Sequence, residues 1–192
     1  MSKKTDARII KSKAAIQTAF IELLEEKGFQ KISASEIIQR ADINRSTFYA
    51  HYNDKFDLMN SIENELFFQL HQIAEQAPLD ALASNQIDNS PVASHILRVL
   101  TFFTDNNRIL TLLTSENGDP TFIVKLQNHI MTTSLEKHMD VILPVPVNYA
   151  SAAVLGMLSG LLVEWIKGGY KETPEEFIDI ILKIIKYHSL IS

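Results

Sequence analysis

The chain contains no cysteine. That excludes disulfides, thiolate metal sites and a cysteine nucleophile, and it fits a reducing compartment. It also lacks an apolar run able to span a bilayer. The most apolar stretch, Tyr149 to Ile166, is interrupted by Ser151, Ser159 and Glu164 and falls short of the ~20 residues that a spanning helix needs. A helix buried in a subunit interface is the better expectation. The opening residues, MSKKTDAR, have no apolar core of the signal-peptide kind, so a cytoplasmic location and no membrane partner are expected. No glycine-rich loop is present to cradle a phosphate. The histidines at 51, 71, 95, 129, 138 and 188 fit no HExxH-type spacing. Catalytic residues, a cofactor and a metal centre are therefore not expected. No run of alternating β-branched residues calls for a sheet, and neither repeats nor low-complexity segments occur.

What is there is 192 residues, enough for one or two small domains, with 46% hydrophobic residues to build a sizeable core. The net charge of −5 is unevenly spread. Residues 1–60 carry ten Lys/Arg and eight Asp/Glu, a balance of +2, whereas residues 61–192 balance at −7. Within the first thirteen residues five basic side chains face Asp6 alone. Such a distribution suits a chain that meets a polyanion at one end only, although a lysine-rich start also serves as a solubilising tail.

Helical periodicity runs through the whole chain. Helix 1 is expected from about Asp6 to Lys27, with Ile9, Ile16, Ala19, Phe20, Leu23 and Leu24 as its stripe and Gly28 as its stop. Helix 4 is expected from near Asp54 to about Gln76, with a face running from Phe56 through Met59, Ile62, Leu66, Phe67 and Leu70 to Ile73. Residues 77–91 read as a loop, with an extra helical turn conceivable near Leu79 to Ala83. Ser90-Pro91 opens helix 5 (about 91–104), a short helix 6 spans about 107–115, and Gly118-Asp119-Pro120 is a stop and restart before helix 7 (about 120–140). Pro144 and Pro146 bracket an extended link. Helix 8 runs from about Asn148 to Lys167 and ends at Gly168-Gly169. Thr173-Pro174-Glu175-Glu176 is a capping box opening helix 9, which reaches about Tyr187.

The most informative segment is Ser33 to Lys55, SASEIIQRADINRSTFYAHYNDK. Ser33 and Glu36 form a capping box, and Ile37, Ile38 and Ala41 supply a helical stripe. Asp42 and Ile43 make a turn, and Asn44 is placed to cap the next helix. That helix has only about two turns, too few to hold itself together in water, so it relies on packing through Phe48. Its other side chains, Arg45, Ser46, Thr47, Tyr49 and His51, are polar and long enough to reach into a groove. A short, braced helix with an exposed face of donors is what helix-turn-helix DNA readers present.

Ser46-Thr47-Phe48-Tyr49-x-His51-Tyr52-x-x-Lys55-x-x-Leu58 resembles the signature of the TetR family of bacterial transcriptional repressors. The upstream Phe29-x-Lys31-Ile32-Ser33-x-x-Glu36-Ile37 is similar to the same family's approach to its second helix. The resemblance is close over residues 8–62 and extends beyond them in helical layout. One departure is Asp42, where the family usually has glycine; aspartate tolerates turn dihedrals better than most residues but brings a negative charge near phosphates.

The resemblance implies an all-α fold of about nine helices. Residues 1–60 would form a helix-turn-helix DNA-binding domain and residues 61–192 a helical effector-binding and dimerisation domain. Lys55, with the free N–H groups at the start of helix 4, is a candidate phosphate contact, and by resemblance so are Tyr49 and His51. Ser33 and Ser35 are placed to donate to a neighbouring phosphate. Arg45 alone on helix 3 can make a bidentate contact to a guanine edge. Asn44, Ser46 and Thr47 can meet bases or phosphates, though Asn44 also serves as a cap and Thr47 can bond within the motif. Phe48 and Tyr52 read as core.

One such motif reads only a few base pairs, so a homodimer on paired half-sites is expected. Ala152, Gly156 and Gly160 give helix 8 a small-residue seam. Helix 9 adds Phe177, Ile181 and Ile184, and the family implies a four-helix interface from these two helices of each subunit. Family members also bind a small molecule among helices 4 to 8. Candidate walls are Phe67, Phe68, His71, Phe102 and Phe103, together with Phe122, His129, Met139 and Trp165. Aromatic residues at helical spacing nevertheless fill cores more often than they line cavities. The expected function is a dimeric repressor binding a palindromic operator and released by a small-molecule effector. The competing reading is a TetR-like coactivator or interaction subunit without independent DNA recognition. A metal-sensing regulator built from His and carboxylates is also left open.

Overall fold

Gly28 closes the first helix with a φ of +76°, a conformation that costs a side-chain-bearing residue strain. The chain then turns through a short 3-10 segment, Phe29–Lys31, into the helix-turn-helix. The computed structural model describes residues 2–78, 90–136 and 146–189. Among these the helices are α1 (Ser2–Lys27), α2 (Ala34–Arg40), α3 (Arg45–His51), α4 (Lys55–Ala74), α5 (Ser90–Asp105), α6 (Asn107–Thr114), α7 (Phe122–Glu136), α8 (Val147–Lys167) and α9 (Pro174–Ser189), with no strand among the described residues. The fold is all-α. The expected turn at Leu79 to Ala83, the end of helix 7 beyond Glu136, and Met139 and Pro144 lie outside the described residues.

The caps read from sequence set the helix ends. Ser33 Oγ accepts from the Glu36 N–H, and a Glu36 carboxylate oxygen accepts from the Ser33 N–H at 3.0 Å, completing the capping box of α2. Thr173 and Glu176 do the same for α9 at 2.9 and 3.3 Å. Asp54 Oδ1 accepts from the N–H groups of Phe56 and Asp57, both at 2.8 Å, and so starts α4.

The chain divides into two compact units. The first comprises Met1–Leu66 together with Ser115–Pro120, and the second Phe67–Thr114 with Thr121–Ser192. Sequence placed the division at 60/61; by packing it falls after Leu66, inside α4, and a short loop from between α6 and α7 joins the first unit. In that unit α1 packs on α2 and α3. Ile16, Phe20, Leu24, Ile37, Phe48 and Leu58 are almost wholly buried, each stabilising the fold by roughly 1.5–3 kcal/mol. Two expected core positions are exposed. Ile9 is 48% exposed because the burial of the α1 stripe begins at Ile16, two turns later, and Phe56 is 55% exposed on the first turn of α4.

In the second unit α6 packs on α7 and α8, α7 on α8, and α5 on α6 and α9. Phe103, Leu110, Leu113, Phe122, Leu126 and Ile166 form its centre. The α8 end is fastened by Gly168 N–H to Glu164 C=O at 2.8 Å and Tyr170 N–H to Trp165 C=O at 3.0 Å.

Candidate nucleic-acid interface

The turn between α2 and α3 is built from backbone bonds. Asp42 N–H donates to Gln39 C=O at 3.2 Å and Ile43 N–H to Ile38 C=O at 3.3 Å. Asp42 has a φ of +51°, which explains why glycine is at home there and why aspartate is among the few side chains that serve. Asn44 occupies the N-cap position of α3, but its side chain makes no cap bond. The expected cap is thus made by backbone only: Asn44 C=O accepts from Thr47 and Phe48 N–H at 3.0 and 3.2 Å. The amide side chain is left on the surface.

Phe48 and Tyr52 are core, as expected, with rings 6.0 Å apart. Burying Phe48 turns the opposite face of α3 outward. Asn44, Arg45, Ser46 and Tyr49 are exposed, and Thr47 and His51 are half-buried. Tyr49 packs edge-on against Phe48 at 5.4 Å, which stiffens an otherwise free ring. Arg45 Nη2 donates to Ser35 Oγ at 3.1 Å, joining the expected guanine reader to the start of α2.

Other candidates carry structural bonds as well. The Ser33 hydroxyl donates to the Glu36 carboxylate at 2.7 Å. Lys55 Nζ donates to the carbonyls of Phe29 and Gln30 at 2.9 and 3.2 Å and sits 4.7 Å from the centre of the Phe29 ring. The ammonium thereby ties the start of α4 to the 3-10 segment. His51 Nε2 lies 2.8 Å from Ser12 Oγ.

Two ion-pair groups brace α2 against α1. Arg40 forks onto Glu26 at 2.7 and 2.8 Å and reaches Glu22 at 3.3 Å; Lys27 pairs with Glu36. The Lys27 hydrogen bond, with those from Ser33, brings the Glu36 carboxyl down to about 2. The Arg40 hydrogen bonds similarly lower that of Glu26. A polar cleft of about 480 Å³ between α1 and α2 is lined by Glu26, Lys27, Glu36 and Arg40 with Leu23 and Gln39, and its charges are spent on one another.

Of the expected effector walls, the second unit brings four together. The Phe67 ring stacks on Phe122 at 5.8 Å and on His129 at 5.0 Å, and His71 stands 6.3 Å from His129. Phe102 and Phe103 are buried and pack edge-to-face with each other. Trp165 belongs to another cluster, stacked on Phe177 at 4.5 Å with its indole N–H on Glu172 C=O. Phe68 is 60% exposed. No group of three or more His or carboxylates among the described residues is placed to hold a metal ion.

On α8, Ala152, Gly156 and Gly160 are exposed, and nothing lies within 4 Å of where a Cβ on either glycine would be. Phe177 is buried within the unit, while Ile181 and Ile184 are half-buried. Among the described residues no helix is long and apolar enough to cross a membrane.

Two positions absent from the sequence reading touch the site. Ser12 contacts His51 from α1, and the Asn117 carbonyl accepts from Phe29 N–H at 2.8 Å. No local pattern marks either one.

Comparison with known proteins accords with this geometry. Residues 16–62 match the bacterial regulatory proteins of the tetR family, and residues 92–187, half of the chain, match a transcriptional regulator C-terminal region of the same type. A TetR transcriptional regulator from Streptococcus agalactiae 2603V is 26% identical, with 96% of this chain and 99% of that one aligned at a TM-score of 0.68. NalD of Pseudomonas aeruginosa, the secondary repressor of the MexAB-OprM multidrug efflux pump, shares the fold at a TM-score of 0.63 and 21% identity, over 93% and 96% of the two chains. The uncharacterized HTH-type transcriptional regulator YxbF of Bacillus subtilis (strain 168) is 28% identical over 81% of this chain, which spans only 40% of that relative's length. Helix-turn-helix geometry and both family matches lead to one assignment: the chain belongs to the TetR family of DNA-binding transcriptional regulators.

Proposed function

We propose that the protein acts as a homodimeric repressor whose two α3 helices read the half-sites of a palindromic operator, and that a small hydrophobic or amphipathic effector releases it. The observation that carries this reading is the outward face of α3. Arg45, Ser46 and Tyr49 stand exposed on a helix held by the fully buried Phe48. Arg45 is assigned to a guanine edge; Asn44, Ser46 and Thr47 to bases or phosphates. Tyr49, His51, Lys55, Ser33 and Ser35 are assigned to phosphates, which position the reader rather than specify sequence. The positive balance of residues 1–60 supports the same end of the chain as the DNA-facing one.

The effector is assigned to the ring cluster of Phe67, His71, Phe122 and His129, where two imidazoles provide polar groups within an aromatic setting. The open seam of Ala152, Gly156 and Gly160 supports dimerisation through α8 with α9. The coactivator reading leans on Asp42, yet Asp42 holds the left-handed turn that glycine would hold, which favours retained DNA recognition.

Selection of bound duplexes from a random DNA pool at two salt concentrations tests the proposal. A palindromic winner with half-sites about one helical turn apart, bound less tightly at the higher salt, supports it. No enrichment at either salt refutes independent DNA recognition and favours the coactivator.

A further inference from the structure

Ser12 lies on α1, outside the helix-turn-helix, and its hydroxyl oxygen has two polar neighbours. Oγ is 3.0 Å from Ile9 C=O, one turn back on its own helix, and 2.8 Å from His51 Nε2 on α3. A serine has a single proton to give. Turned onto Ile9 C=O, that proton leaves Oγ to accept from an Nε2–H; turned onto the imidazole, the closer and the more basic of the two, it leaves Ile9 C=O to the backbone ladder of α1. With the proton turned onto Nε2, a neutral His51 carries its own proton on Nδ1. The two ring nitrogens project in nearly opposite directions, so seating Nε2 against α1 aims Nδ1–H away from it. Tyr52, buried and with its ring 6.1 Å from that of His51, narrows the room in which the imidazole can turn.

We infer that Ser12 is a positioning residue for DNA binding: it fixes the orientation and the Nδ1–H tautomer of His51, so that the neutral imidazole presents a donor to a DNA phosphate. This rests on the phosphate contact proposed for His51. Which nitrogen of a histidine bears the proton is set by the bond that the other nitrogen makes, and a bare Nδ1 would meet a phosphate oxygen lone pair to lone pair. Setting the tautomer before DNA arrives removes that mismatch. It also spares the cost of ordering the ring on binding.

The test is a double-mutant cycle with Ser12→Ala and His51→Ala, read as affinity for a mixed-sequence duplex, because a phosphate contact contributes on any sequence. Alanine is the best helix former, so Ser12→Ala is compatible with α1. Expected are a roughly tenfold loss for Ser12→Ala, the scale of a hydrogen bond to a charged group, little further loss when it is added to His51→Ala, and recovery with Ser12→Thr, which restores the hydroxyl. Nitrogen-15 spectra of the neutral imidazole provide a second reading without DNA. They should show a pyrrole-type Nδ1 and a pyridine-type Nε2 in the parent, lost in Ser12→Ala. Equal losses for Ser12→Ala with and without His51 would overturn the inference, leaving Ser12 as a tie between helices. So would an Nε2–H tautomer in the parent. If His51→Ala itself leaves duplex binding unchanged, the phosphate contact is what fails, and the positioning role falls with it.

Discussion

The backbone N–H of Phe29 donates to the carbonyl of Asn117 at 2.8 Å, and Gly28, the residue before Phe29, has no room for a side chain on account of the same Asn117. A Cβ on Gly28 would lie 2.9 Å from Asn117 Cβ, closer than carbon atoms approach, and the Gly28 φ of +76° adds strain for any other residue. With a ψ of 157° beside that φ, Gly28 sits in an extended region that is essentially closed to other residues, so Gly28→Ala should destabilise the DNA-binding unit by about 1–3 kcal/mol from the dihedrals alone, with the collision adding to that. Urea unfolding of Gly28→Ala and of Gly28→Ala/Asn117→Gly separates the two contributions. The double variant should recover the collision part and keep the dihedral part; equal midpoints for the two would remove Asn117 from the account.

Arg45 and Lys55 should respond differently to truncation. Arg45 is exposed and, among the described residues, its side chain bonds to the Ser35 hydroxyl alone, so Arg45→Ala should leave the melting temperature nearly unchanged. It should weaken operator binding by about 1–3 kcal/mol and relax base preference, as loss of a bidentate base contact does. Lys55 also holds two carbonyls and covers an aromatic ring. Lys55→Ala should lower both duplex affinity on all sequences and stability, the latter by about 1–2 kcal/mol, because the Gln30 carbonyl loses the lysine donor and the Phe29 carbonyl keeps only the Ile32 N–H. Parallel melting and binding curves check the contrast. A Lys55→Ala protein as stable as the parent would show that the carbonyl bonds contribute nothing net.

The helix-turn-helix was legible in the sequence because its determinants are local. The Ser33–Glu36 box, the Gly28 stop and the stripe that buries Phe48 all lie within a few residues of what they specify. Contacts between distant parts of the chain were not legible. Ser12 and His51 are 39 residues apart, and Asn117 reaches Phe29 from a loop of the other half of the sequence. Periodicity also tells which face of a helix is apolar, not where its partner ends, and so Ile9 and Phe56 were drawn into stripes that the packing does not cover. The same limit applies to the effector residues. A stripe cannot separate Phe103, sealed in the core, from Phe67, stacked among rings from another helix.

Stability should fall in acid through Glu36. Its carboxyl is brought from the ordinary 4.5 to about 2, first by Lys27 and then by Ser33. A depressed folded-state value means that the unfolded chain takes up a proton first. The Glu36 contribution is therefore complete above pH 4.5 and is lost as the pH falls toward about 2. Glu26, lowered by Arg40, adds a contribution of the same sign. Glu36→Gln keeps a side-chain oxygen for the cap but removes the charge. The midpoint difference between parent and Glu36→Gln should be largest near neutrality and vanish near pH 2. A difference independent of pH would mean that the ion pair with Lys27 contributes nothing, as many exposed pairs do.

Gly156 and Gly160 distinguish a helix that merely closes its own subunit from one that meets a second copy. Both glycines are exposed, and an added Cβ at either meets nothing within 4 Å. Replacing either by glutamate should cost the isolated chain nothing and should favour α8 by up to about 1 kcal/mol, since glycine is a poor helix former. In a dimer joined along this seam, the same substitutions place a charged side chain where a facing helix approaches closely, with no partner for the buried charge. Gly156→Glu and Gly160→Glu should therefore move the protein from dimer to monomer in sedimentation measurements while helical circular dichroism stays intact. Duplex binding should drop with dimerisation, because one head alone makes half the contacts. Dimers that persist in both variants would exclude this seam and direct attention to the half-buried Ile181 and Ile184 face of α9.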